Sequence, residues 1–113
     1  MTTADLDAAL ADARARVLHD LSATLPTTPA MIDALDRAVS DRRVWAEPWP
    51  EGSAFVACLL AQDVQEALAP SVGPWPQCRV SGEHTLFVEP DLGEDPHWVC
   101  EDCAAVVAPI GGL

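Results

Sequence analysis

The chain has 113 residues, a formal net charge of −12 and an isoelectric point near 4.2. Its basic residues are the six arginines Arg14, Arg16, Arg37, Arg42, Arg43 and Arg79, and there is no lysine. This length suffices for one ordinary domain, or a small helical unit plus a metal-stapled module, and the acidity argues against nucleic acid or an anionic membrane as a direct partner.

The charge is uneven along the chain. Residues 1–46 carry seven Asp against five Arg, whereas residues 47–113 carry eleven Asp or Glu against Arg79 alone. Half of the residues are apolar, but alanine supplies much of that half, so the expected core is thin. No stretch approaches the ~20 apolar residues of a membrane span, and Met1-Thr2-Thr3-Ala4-Asp5 does not open a basic, then apolar, leader. A cytoplasmic location follows as the expectation. Four cysteines in a reducing compartment point to metal or redox chemistry before disulfides.

Residues 4–25 read as a helix, with Leu6, Leu10, Ala13, Val17 and Leu21 at spacings of three and four, Thr3 as a cap and Pro26 closing the segment. Asp7, Arg14 and Asp20 fall to its other face in this reading, and His19 to the surface or its boundary. A second helix starts at Thr28 with Pro29 in its first position, and Ile32, Leu35 and Val39 carry a stripe to about Arg43. The short Pro26-Thr27 turn predicts an antiparallel hairpin of the two.

The segment from Trp45 to Gly52 holds two prolines and a glycine and is expected to be non-helical. Ser53 is then expected to cap a third helix running to about Ala69. Its first turns, with Phe55, Val56, Leu59 and Leu60, are apolar nearly all round, which predicts a partner or a second copy against Phe55, Leu59 or Leu60. Cys58 within it reads as a small buried hydrophobe. Pro70, Gly73, Pro74 and Pro76 mark a linker over 70–76, dividing a helical unit, 1–69, from a second module, 77–113.

From Gln77 the pattern turns to short extended runs: Thr85–Glu89, a turn over Pro90–Pro96, then His97–Cys100, which together predict a β-hairpin. Cys78 and His84 precede its first strand, while Cys100 and Cys103 end its second, so the hairpin brings two distant pairs to one end. Cys-x-x-Cys is the tight spacing that presents two soft ligands at ~2.3 Å to one ion. The wider Cys78-x5-His84 spacing is served by a turn at Ser81-Gly82. The expected site is a closed, four-coordinate structural zinc held by Cys78, His84, Cys100 and Cys103.

Pro74-Trp75-Pro76-Gln77-Cys78, His84-Thr85-Leu86, Trp98-Val99-Cys100 and Ala108-Pro109-Ile110-Gly111-Gly112-Leu113, in that order, resemble the C-terminal tail of small uncharacterised actinobacterial proteins. The resemblance covers about residues 74–113 and implies a zinc-ribbon-like module without implying an activity. The chain departs from that tail's pattern at Ser81, usually His there, and at Arg79 and Glu101, usually Pro.

Other assignments compete for the same residues. Cys100 and Cys103 read as a dithiol pair lack a preceding βαβ unit and a basic neighbour. His97 in place of His84 gives His-x2-Cys-x2-Cys, one residue short of the zinc-binding anti-sigma pattern, and a metal-free arrangement is the third. No phosphate loop, Gly-x-Ser-x-Gly or His-Glu-x-x-His is present. The expectation is thus an α+β chain of about three helices and a zinc-ribbon hairpin, a non-enzymatic interaction or adaptor protein. The alternative is a thiol and zinc redox sensor that releases a partner on oxidation.

Overall fold

The computed structural model describes residues 3–80 and 82–113. Helix α1 spans Thr3–Thr24 and α2 spans Pro29–Ala46; a 3-10 helix over Pro50–Phe55 leads into α3, Val56–Leu68. A three-stranded antiparallel sheet in the order β1-β2-β3 follows, with β1 at Phe87–Glu89, β2 at His97–Cys100 and β3 at Ala105–Pro109. The fold is therefore α+β, three helices followed by a small sheet.

The predicted stripe of α1 is the buried one: Leu6, Leu10, Ala13, Val17 and Leu21 are all at or below 4 % exposure. At roughly 1.5–3 kcal/mol for each large aliphatic side chain, these contacts are the main reason the helix forms. Thr28 caps α2 by accepting the Met31 backbone N–H at 3.2 Å, with Pro29 in the first turn where a missing N–H costs nothing. The face of α2 that meets the core is Met31, Leu35, Ala38 and Ala46, and Ile32 and Val39 are half-buried beside it. Arg14 pairs with Asp36 and Arg43 with Asp7, so α1 and α2 run antiparallel.

The segment after Arg43 departs from expectation. Helix α2 continues to Ala46, and Pro50 opens a 3-10 helix, because a proline in the first turn surrenders no intrahelical hydrogen bond. Ser53 lies buried inside that 3-10 turn and does not cap α3, whose N-cap position, Phe55, makes no side-chain capping bond. Leu60 is fully buried, and Phe55 and Leu59 pack partly buried against the same core.

Residues 70–76 are held down. Trp75 is buried, donates its indole N–H to the Thr24 hydroxyl at 2.8 Å and meets Trp98 edge to face. The Gln65 amide reaches the carbonyls of Trp75 and Leu86.

Strand β2 matches the predicted His97–Cys100, whereas β1 covers Phe87–Glu89 and Thr85 pairs with Gln77 in an isolated bridge. Strand β3 has no counterpart among the predicted elements. Its sequence Ala105-Val106-Val107-Ala108-Pro109 lacks period-two alternation because an irregularity between Trp98 and Val99 pairs Trp98 with Ala108 but Val99 with Val106. Two rows cross the sheet as a result. Val88, Trp98 and Ala108 face the core, and Phe87, Val99 and Val106 face away from it.

No helix among the described residues is long and apolar enough to cross a membrane.

Candidate metal centre

Each half of the cluster is a tight turn. On the first, the Gln77–Thr85 bridge is closed by Cys78 N–H donating to the His84 carbonyl at 2.7 Å and Leu86 N–H donating to Pro76 at 2.8 Å. Gly82 bonds back to the Cys78 carbonyl at 2.8 Å and has φ +70, a conformation glycine adopts without penalty. Ser81, the other residue of the predicted turn, lies outside the described residues. On the second half, Cys103 N–H points to Cys100 Sγ at 3.4 Å, and Ala104 turns the chain into β3 with φ +52.

The antiparallel pairing of β1 with β2 carries the two turns to the same end of the sheet. The ligand atoms of Cys78, His84, Cys100 and Cys103 all lie within 4.8 Å of one another. Cys78 Sγ and Cys103 Sγ are 3.9 Å apart, and His84 Nδ1 stands 3.7 Å from Cys100 Sγ and 3.8 Å from Cys103 Sγ. A tetrahedral ion with ~2.3 Å bonds to sulfur and ~2.0–2.1 Å bonds to nitrogen has ligand-to-ligand edges of about 3.6–3.8 Å. The cluster is therefore compatible with a metal site, a fit set by the donor atoms and their separations.

Cys78 and Cys100 are buried, and Cys103 is exposed. Hydrogen bonding with Cys100, then with Cys78, pushes the Cys103 thiol up to about 11. Crowded thiols resist becoming thiolates together, and a bound cation removes that penalty.

The competing ligands lie elsewhere. His97 is half-buried on β2 with Nδ1 3.0 Å from the Asp95 carbonyl. Cys58 is fully buried in α3, bonding to the Phe55 carbonyl at 3.1 Å and accepting the Gly93 N–H at 3.5 Å. His19 is exposed on α1.

Asp20 overturns its sequence assignment. It is fully buried, and its carboxylate accepts the Trp98 indole N–H at 2.7 Å, the Gly111 N–H at 2.6 Å and the Leu113 N–H at 2.9 Å. The signal was present in the spacing: position 20 is three beyond Val17 and seven beyond Ala13, on the apolar stripe itself. Gly111 has φ +93, and a Cβ there would come within 2.9 Å of the Arg16 side chain, so glycine is needed for the tail to reach Asp20.

No curated protein and no solved structure matches the chain. A family model described as a domain of unknown function matches residues 6–110, taking in all of α1 but its first three residues, the other two helices, all four clustered residues and the sheet, and the chain thus belongs to the DUF8819 family.

Proposed function

We propose that the protein is a zinc-stabilised, non-enzymatic interaction or adaptor protein, with one structural Zn2+ held by Cys78, His84, Cys100 and Cys103. The observation that carries this reading is the gathering of four donors within 4.8 Å of one another, three of whose separations, 3.7–3.9 Å, lie close to the edges of a tetrahedral site. Three thiolates and an imidazole are the borderline donors zinc prefers, and they occupy all four positions, leaving none for a substrate or an activated water. A reducing cytoplasm keeps such thiols available as ligands.

Elemental analysis after exhaustive dialysis is expected to give one zinc per chain. Cys78→Ser and His84→Ala should lose it, while His97→Ala and Cys58→Ser should keep it. Metal-free protein, or a Cys78→Ser variant with full zinc, contradicts the assignment.

The exposure of Cys103 favours a second reading, a redox sensor. Peroxide would take two electrons from the Cys100 and Cys103 thiolates, form their disulfide, release zinc and leave as water once protonated. A structural site resists this. Zinc release followed with a chromogenic chelator at near-equimolar peroxide separates the two, since rapid release supports the sensor and retention supports the adaptor.

A further inference from the structure

We propose that the outer face of the sheet is a docking surface for a basic segment of another protein that carries apolar anchors. This inference rests on the adaptor reading and names the surface and the chemistry of its partner.

The outer row is aligned by register, with Phe87 opposite Val99 and Val99 opposite Val106. Phe87 is 46 % exposed and Val106 is 68 % exposed, with Val99 floored between them at 8 %. The other row of the same sheet, Val88, Trp98 and Ala108, is buried, and Val88 and Trp98 belong to the core shared with the helices, so the sheet has spent one apolar face on folding and holds a second in water. Val106 gains its outward position from the irregularity opposite Val99; an uninterrupted ladder would pair Val99 with Val107. Aligned apolar side chains on a surface mark interaction sites better than single ones do.

Charge selects the occupant. Glu89, Asp95 and Glu101 line the shallow depressions around Val99 and Val106. Residues 80–113 hold seven Asp or Glu and no Arg or Lys. A basic segment finds complementary potential there, whereas nucleic acid and anionic lipid are repelled. A second copy of the chain would set the same carboxylates against one another.

The test uses the full-length protein and three short peptides of equal length: alternating leucine and lysine, alternating leucine and glutamate, and all lysine. Amide NMR is expected to show shifts centred on Phe87 and Val106 with the leucine and lysine peptide only. Phe87→Ala and Val106→Asp should each weaken that binding about tenfold or more, and Val44→Asp, a change at another exposed apolar site, should leave it unchanged. Shift mapping on the native protein stands independently of any variant that folds poorly. Equal binding of the all-lysine peptide, or unchanged affinity in both sheet variants, overturns the proposal. So does concentration-dependent dimerisation through Phe87 and Val106, which would make a second copy the occupant. Zinc content is measured alongside: loss of the zinc reading appears as metal-free protein, and loss of this one as zinc-loaded protein whose sheet face binds nothing.

Discussion

Asp20 on α1 and Trp98 on β2 share a buried hydrogen bond of 2.7 Å across 78 positions of sequence. The same carboxylate accepts the backbone N–H groups of Gly111 and Leu113, so one side chain of the first helix holds both the central strand and the end of the chain. Charge-assisted hydrogen bonds to a buried carboxylate are strong because little water competes for the donors.

Asp20→Ala is therefore expected to destabilise the fold by about 3 kcal/mol or more, since it leaves three donors without their acceptor. Asp20→Asn should cost about 2 kcal/mol, because its NH2 group faces donors rather than acceptors. Urea denaturation followed by Trp fluorescence measures both. An alanine variant within about 0.5 kcal/mol of the native protein would show that these bonds contribute little.

Ala104 adopts φ +52 directly after Cys103. A residue with a Cβ pays about 1 kcal/mol in this region and glycine does not, although glycine also loses more freedom on folding. Ala104→Gly is expected to raise stability by a few tenths of a kcal/mol to about 1 kcal/mol without altering metal content. Thermal denaturation of the two proteins at matched zinc loading decides the sign.

Much of this architecture was legible from residue spacing. The stripe of α1, the Thr28-Pro29 start of α2, the strand His97–Cys100 and the four clustered residues follow from local periodicity and ligand spacing. Where sequence reasoning failed, a long-range contact or a chain irregularity decided the outcome. Asp20 looked solvent-facing because a carboxylate is usually exposed, and its three donors lie more than 75 positions away. Strand β3 escaped notice because its irregular pairing with β2 erases alternation. Ser53 looked like a cap, but the chain had already begun to coil at Pro50.

The Cys103 thiol, raised from its ordinary 9.0 to about 11 chiefly by its hydrogen bond with Cys100, sets a pH dependence for the metal-free protein. A group whose folded value is raised stabilises the fold below its unfolded value and loses that contribution as pH rises through the folded one. Metal-free protein should thus lose stability between pH 9 and about 11. Under the zinc reading, metal binding at neutral pH releases the thiol protons, and apparent affinity falls as the pH is lowered. Denaturant titrations of the chelated protein across this range, with ultraviolet absorbance reporting thiolate, provide the check; constant stability would contradict it.

Metal removal should loosen the two ligand turns without unfolding the chain. The turns at residues 78–84 and 100–104 are short and share the proposed ion as their cross-link. The inner sheet face, however, belongs to the same core as α1 and α3, and Trp98 is tied to Asp20. Small zinc modules with no such anchorage unfold on chelation. Here, hydrogen exchange after chelation is expected to accelerate at the Cys78, Gly82, Cys103 and Ala104 amides while α1 and α3 keep their protection. Chelation of the Asp20→Ala variant removes both ties and should expose the sheet and segment 110–113 as well, an effect larger than the two separate losses predict. Global unfolding of the native protein on chelation would show that the ion supports the helices too, and unchanged exchange at the four amides would show that the turns hold without it.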